Sequence, residues 1–222
     1  PGLASLVAGW RFLKRASSIR TQYVIDIIAM TFGQPLVLLP ALGTVLLGGG
    51  AVTTGILTAA VAVGTFASSL FSGRVVQYRW HGRGIERAVE AYGASILAFG
   101  VVLLIGAFSA PATEKIPNVG LIAAACIALA LSGASDNISS IYRNTMMQAA
   151  VPDAMRGRLQ GVFIIVVAGG PRIGALYAGA LASITTLWFP PLLGGFLVIA
   201  LVALLARRSS RVRSYDAENP EP

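Results

Sequence analysis

Three ionisable side chains lie inside long apolar stretches of this 222-residue chain: Asp26, Asp136 and Arg172. A charge at the centre of a bilayer costs about 2.5–3.5 kcal/mol on insertion scales, so such residues usually face a polar interior and carry function. Two carboxylates and a guanidinium in apolar surroundings can bind a proton, a cation or a charged ligand. We therefore take these three residues as candidates for a proton or substrate site.

The two carboxylates lie at similar distances from the nearest basic residues. Asp26 follows Arg20 by six residues, and Asp136 precedes Arg143 by seven. At about 1.5 Å per helical residue, both carboxylates lie about 9–11 Å inside the same membrane boundary. This equal depth on two different helices favours a shared site.

Polar residues accompany each carboxylate on its helix face. In the first apolar run, Gln22 shares a face with Asp26. A polar stripe in the fourth run follows i, i+4, i+7 or i+8, and i+11 spacing: Ser132, Asp136, Ser139 or Ser140, and Arg143. The stripe either lines a water-filled cavity or forms a hydrogen-bond network between helices. Its charged members favour the cavity.

Arg172 follows a sequence that is suited to close helix contact. Gly170 and Gly174 have the small-xxx-small spacing of membrane helix interfaces, and Pro171 bends or interrupts a helix. We predict that these three residues pack one helix against another. Arg172 itself either forms a structural ion pair or takes part in substrate or proton coupling.

Basic residues reveal how the helices cross the membrane. Of seventeen Lys and Arg residues, fifteen fall in four clusters between the apolar runs, and Lys115 lies in an opposite gap. Cytoplasmic loops retain Lys and Arg, so both ends of the chain are predicted on the cytoplasmic side of the membrane. The clusters are Arg11, Lys14, Arg15 and Arg20; Arg74, Arg79, Arg83 and Arg87; Arg143, Arg156 and Arg158; and Arg207, Arg208, Arg211 and Arg213.

The apolar runs between these clusters predict an all-α integral membrane protein. Each run has about the twenty residues that a helix needs to cross a bilayer. The predicted spans are 21–42, 51–73, 91–109, 119–141, 159–184 and 186–206. They divide the chain into a cytoplasmic amphipathic linker (1–18), a six-helix bundle (19–207) and a cytoplasmic tail (208–222).

A cytoplasmic loop is predicted over 142–158. In it, Asp153 could cap the following helix, while Arg156 and Arg158 could bind helix ends or lipid phosphate. With Arg143, they are candidates for a gating loop. The alternative for the arginines is a purely topological role.

Composition argues against several classes of function. The chain is 55% hydrophobic and 12% charged, against roughly 25% charged residues in soluble domains. Its net charge of +8 lies at the ends of spans, which argues against nucleic acid binding. The single cysteine (Cys126) and single histidine (His81) predict neither a metal site nor a cofactor, and His81 is expected in a basic loop, either solvated or facing lipid headgroups.

Two other membrane functions compete with transport driven by an ion gradient. An intramembrane serine protease needs a Gly-x-Ser-Gly setting and a histidine within a span, whereas the nearest match is 133–136 and His81 is predicted in a loop. The membrane domain of an ATP-driven transporter, or an assembly subunit, would have long cytoplasmic extensions, which are not predicted here. We therefore predict that the protein is not an enzyme.

Several motifs resemble those of a known family. The segment 143–179, with its PDxxRGR and GGPRIG stretches, resembles the tenth-to-eleventh helix region of major facilitator transporters, closest to the enterobactin-exporter-like branch of drug and siderophore exporters. Asp26 followed by FGQP and LLPAL is similar to the seventh helix of that branch. The resemblance covers nearly the whole chain.

The resemblance implies the C-terminal half of a twelve-helix fold, made of two inverted three-helix repeats. It implies export of a small molecule such as a siderophore or drug across a bacterial inner membrane by alternating access, and proton influx is the expected driving force. The expected partner is a missing N-terminal six-helix half, and the first and fourth spans are expected to line a central cavity. Two motifs depart from the family pattern. Gln77 stands where the gate motif has an acid, so only Arg83 is carried over from that motif, and GGPRIG lies in the eleventh helix rather than the fifth.

Overall fold

The computed structural model describes residues 11, 13, 16–109 and 117–208, without the side chains at 153–154 and 165–167. Most of the predicted linker, Lys115 and the tail beyond Arg208 therefore lie outside the described residues. The described part is helical, and six of its helices are long and apolar enough to cross a membrane. This confirms the predicted all-helical membrane fold with six spans. The helices are Ser17–Phe32, Gly50–Ser69, Ser72–Val76, His81–Phe108, Val119–Ala150, Asp153–Ile184 and Phe189–Arg208.

The first span, Ser17–Leu46, is interrupted in its middle. Its regular helix ends at Phe32, and the chain continues as a 3-10 turn over Leu36–Leu38, a short helix over Leu39–Ala41 and a π-helical segment over Leu42–Leu46. Proline has no N–H to donate, so Pro35 and Pro40 prevent a continuous ladder of helical hydrogen bonds here. Neighbouring groups satisfy part of the freed backbone: Tyr92 donates a hydrogen bond to the Gly33 carbonyl.

The helices at the predicted cytoplasmic side are longer than the apolar runs suggested. The fourth span continues to Ala150 and the fifth helix begins at Asp153, so the predicted loop 142–158 is reduced to Val151 and Pro152. The third span likewise begins at His81, ten residues before the predicted start. Arginine is a good helix former and its long side chain can reach the membrane surface, so a polar sequence does not end these helices.

Glycines lie where the spans cross. A side chain at Gly64 would collide with the backbone of Ala130, and one at Gly133 would collide with the backbone of Val61, so these glycines bring the second and fourth spans together. In the same way, Gly100 lies against the backbone of Leu192 in the sixth span. Small residues allow membrane helices to approach closely enough for van der Waals packing to hold them.

The buried apolar side chains form two clusters. The first cluster joins the early part of the first and third spans to the late part of the fourth and sixth, and includes Ile25, Ile85, Met146 and Val202. The second cluster occupies the opposite end of the first, third and fourth spans and also includes the second span: Leu38, Leu42, Leu57, Phe99, Leu103 and Leu129 are among its members. The antiparallel helices therefore share one packed layer at each end of the bundle.

Candidate functional site at Arg143

Arg143 links two carboxylates on different spans. Its Nη1 forms an ion pair with Oδ1 of Asp26 in the first span. Its Nη2 lies 3.5 Å from Oδ1 of Asp136, two turns earlier on its own helix. The two carboxylates predicted at matching depth thus meet at one guanidinium. Carboxylates in apolar surroundings require such a partner, and a single arginine serves both here.

The interpretation of Arg143 as a residue of a cytoplasmic loop is wrong. Arg143 lies within the helix Val119–Ala150, and only 6% of its surface is exposed. The positive-inside rule assigns an arginine at the end of an apolar run to the membrane surface, but it takes no account of ion pairing. An arginine that is neutralised by two carboxylates can remain inside the bundle.

The two carboxylates differ in exposure. The Asp26 side chain is 2% exposed, whereas the Asp136 side chain is 42% exposed. Asp26 is therefore enclosed with its ion-pair partner. Asp136 makes the longer contact with Arg143 and remains open to its surroundings.

A cavity of about 100 Å³ adjoins Asp136. It lies among the first four spans, at the interruption of the first, and Asp136 is the one carboxylate among its lining residues: Gln34, Pro35, Leu36, Val61, Thr65, Tyr92, Ile96, Leu129, Ser132, Gly133 and Asp136. This volume corresponds to about three water molecules, whereas pockets for drug-sized ligands are typically about 300–1,000 Å³. The cavity suits water or a small cation.

The predicted polar stripe lies in the interior of the bundle. Ser132 is buried and donates to the Leu129 carbonyl at 2.7 Å, while Ser139 is fully buried. Gln22 is also buried, one turn before Asp26. Buried atoms without a protein hydrogen-bond partner occur at four of these residues, and such atoms are rare in folded proteins. They are Gln22 Oε1, Asp26 Oδ2, Ser139 Oγ and Arg143 Nε.

Arg172 lies away from this cluster. It is exposed on the fifth span, and both carboxylates pair with Arg143 instead. Gly170 and Gly174 lie on another face of the helix, against Met30, and a Cβ at Gly174 would also meet the Thr31 carbonyl oxygen at 2.9 Å. The half-buried Pro171 lies between them within the helix. The helix therefore packs through its glycines and leaves Arg172 uncovered.

The remaining loop candidates lie near the ends of helices. Arg156 donates to the carbonyls of Gln148 and Val151, at 2.5 and 3.1 Å, and so satisfies carbonyls at the C-terminal end of the fourth span. Arg158 is exposed, and Arg83 lies over the Trp80 ring, 5.2 Å from its centroid. The side chain of Asp153 is outside the described residues.

Sequence reasoning missed several residues around the site. Tyr92 and Thr65 line the cavity, and the Thr65 hydroxyl bonds to the Gly133 carbonyl at 3.2 Å. His81, predicted in a basic loop, is 2% exposed, with its ring against that of Tyr142. A period of 3.6 residues identifies the face of a helix but not its partner, so no sequence signal assigned these contacts. Among the described residues, no three His, Cys, Asp or Glu side chains are grouped to hold a metal ion.

Curated relatives are exporters of about twice this length. The enterobactin exporter EntS of Citrobacter koseri is 29% identical over 220 residues, which cover 99% of this chain and 49% of that protein. EntS of Escherichia coli O1:K1 is 29% identical over 178 residues, covering 74% of this chain and 42% of that protein. EntS of E. coli O139:H28 is 27% identical over 205 residues, covering 91% and 45%. The chain thus spans about half the length of the curated relatives it matches.

The family comparison covers almost the whole chain. A family described as transmembrane secretion effectors matches residues 3–222. No solved structure matches the chain significantly. The six apolar helices agree with a protein that crosses the membrane several times. The chain belongs to the transmembrane secretion effector family of the major facilitator superfamily.

Proposed function

We propose that this chain forms the C-terminal half of a secondary exporter that moves a small molecule across a bacterial inner membrane in exchange for protons. The observation that carries the proposal is the buried Arg143, which joins Asp26 in the first span to Asp136 in the fourth. Buried charges are costly, and a site whose charge balance depends on one proton can couple proton binding to helix movement.

The two carboxylates have different roles in this proposal. Asp136 exchanges the proton, because its side chain is exposed and adjoins the cavity. Asp26 is the fixed counter-charge, because it is enclosed with Arg143. When Asp136 is protonated, Arg143 retains Asp26 as its charged partner. The balance of contacts between the first and fourth spans then changes, and this change favours one of the two access states.

Arg172 has a separate role. An exposed cation in the middle of a span cannot be left against lipid at low cost. The relatives are about twice as long as this chain, so the N-terminal half of the transporter is the expected neighbour of this face. Arg172 then faces either the substrate or a carboxylate of that half, across the path between the two halves.

The names of the curated relatives support a siderophore-like or drug-like substrate. The charge distribution supports an orientation with both ends of the chain in the cytoplasm. The cavity beside Asp136 is too small for such a substrate. Substrate therefore passes between the two halves, and the cavity serves the proton.

The test uses the full-length transporter in inverted membrane vesicles. Asp136→Asn keeps the shape of the side chain but cannot release a proton, so we expect loss of efflux driven by a proton gradient. Substrate exchange without a gradient and the amount of protein in the membrane should be retained. Asp136→Glu, which still titrates, and Ser135→Ala, an adjacent substitution, are the matched controls. Wild-type gradient-driven rates in Asp136→Asn would contradict the proposal.

A further inference from the structure

Four arginines and a tryptophan gather where the second span leads into the third. We call them the arginine–tryptophan patch: Arg74, Arg79, Trp80, Arg83 and Arg87. Arg79 and Arg83 both lie over the Trp80 ring, with their guanidinium carbons 5.3 and 5.2 Å from the ring centroid. Arg74 lies 6.0 Å from the centroid of the Phe71 ring in the same way. All four arginines are exposed.

The patch lies at a membrane surface. The second span ends at Ser69 and the third begins at His81, so the segment between them is at the end of both. Tryptophan is enriched at the level of lipid headgroups, where its ring meets the acyl boundary and its N–H meets water. The half-buried Trp80 is suited to this depth. The arginines around it are then at the level of lipid phosphates.

The aromatic rings restrict where the arginine side chains lie, which an excess of positive charge alone would not do. An exposed arginine normally loses side-chain entropy when it binds, and a guanidinium held over a ring has already lost part of it. Two guanidinium groups share one indole here. Guanidinium groups bind phosphate oxygens in bidentate geometry.

A polar pocket of about 320 Å³ adjoins the patch. Arg83, Glu86, Arg87 and Glu90 line it. Arg83 and Arg87 are one helical turn apart, so both can reach a single group between them. Two arginines and two glutamates balance each other in the lining of the pocket, so the excess of +2 over the whole patch comes from Arg74 and Arg79. This excess favours an anionic over a zwitterionic headgroup.

We infer that the arginine–tryptophan patch is a binding site for the phosphate of an anionic phospholipid headgroup, held chiefly by Arg83 and Arg87 beside Trp80. Its residues differ from those of the charge cluster at Arg143, so the lipid and the proton are held at separate places. The patch fixes the connection between the second and third spans to the membrane surface. The ligand is the phosphodiester monoanion of a lipid headgroup and not a free phosphate ion.

Native mass spectrometry of the full-length transporter in detergent micelles tests this inference. The protein is titrated with phosphatidylglycerol, and separately with phosphatidylcholine, in the presence and absence of 10 mM inorganic phosphate. We expect tighter binding of phosphatidylglycerol and no displacement by inorganic phosphate. Arg83→Gln together with Arg87→Gln should weaken phosphatidylglycerol binding by about fivefold for each arginine removed. Trp80→Leu, which keeps every charge, should weaken it by about two- to fivefold.

The matched control is Arg207→Gln with Arg208→Gln, since this exposed pair ends the sixth span without an aromatic platform among the described contacts. We expect this control to change binding by less than twofold. Equal losses for the two arginine pairs would overturn the inference in favour of general basic attraction. Equal binding of the two lipids, or displacement by inorganic phosphate, would also overturn it. Size-exclusion profiles without added lipid establish that each variant is folded.

Discussion

Arg143 and Arg172 are both arginines within spans, yet their surroundings are opposite. Arg143 is 6% exposed and pairs with carboxylates from two helices. Arg172 is exposed on the fifth span, on a different face from the glycines that pack against Met30. The charge on Arg143 is balanced among the described residues of this chain. The charge on Arg172 must be balanced from outside the described residues, since lipid cannot do so at low cost.

This difference separates two roles that the sequence alone could not tell apart: charge pairing inside the bundle, and contact with a partner or ligand. An enclosed charge cluster can hold the bundle together and respond to a proton without touching the substrate. An uncovered arginine contributes little to the bundle and is free to meet a partner or ligand. The comparison therefore predicts opposite responses to mutation in stability and in transport.

The largest expected effect is on stability, from Arg143→Leu. This change leaves Asp26 buried without its cation, and breaking a buried pair from one side costs about 3–5 kcal/mol. Arg172→Leu, the matched control, should cost about 1 kcal/mol or less, because a cation on the path between two halves is not enclosed and remains in reach of water. Thermal unfolding of the full-length protein in detergent measures both. Equal destabilisation by the two substitutions would remove the distinction between them.

A smaller effect should separate the two carboxylates. Asp26→Asn removes the enclosed partner of Arg143, and we expect a loss of about 3 kcal/mol, at the lower end for a broken buried pair because Asp136 still lies beside Arg143. Asp136→Asn should cost about 1 kcal/mol or less, because the Asp136 side chain is 42% exposed and remains in reach of water. The same thermal measurement ranks the two variants. A reversed ranking would show that Asp136, and not Asp26, is the structural counter-charge.

The smallest effect concerns the packing that leaves Arg172 uncovered. A methyl group at Gly174 would lie 2.9 Å from the Thr31 carbonyl oxygen, so Gly174→Ala should destabilise the protein by about 1–3 kcal/mol. Gly179→Ala is the control, because nothing lies within 4 Å of its added Cβ, and it should be neutral or slightly stabilising. A neutral Gly174→Ala would mean that the first and fifth spans separate more easily than their contact suggests.

Hydropathy and helical geometry were sufficient to predict the main features of the fold. Six spans followed from run length, and the meeting of Asp26 and Asp136 at Arg143 agrees with the rise per residue along two helices. The resemblance in the PDxxRGR and GGPRIG stretches identified the superfamily, which the family comparison confirmed.

Contacts between helices could not be predicted in the same way. The burial of Arg143 and His81 depends on partners more than fifty residues away or on a neighbouring ring, and neither appears in a local pattern. The interruption after Phe32 could be suspected from Pro35 and Pro40, but the cavity beside it depends on residues from four spans. Local sequence sets the period of a helix, whereas tertiary packing decides which charge is enclosed.

The interruption of the first span coincides with the boundary between the two apolar clusters. Ile25 and Ala29, before it, belong to one cluster, and Leu38 and Leu42, after it, belong to the other. A rotation of the segment before Gly33 is therefore not passed on as a rigid turn to the segment after Pro35. The first span in this sense joins two separately packed layers, one on each side of its interruption. A tilt of the layer that holds Arg143 need not unpack the other layer, and the hydrogen bond from Tyr92 to Gly33 lies where the two layers meet.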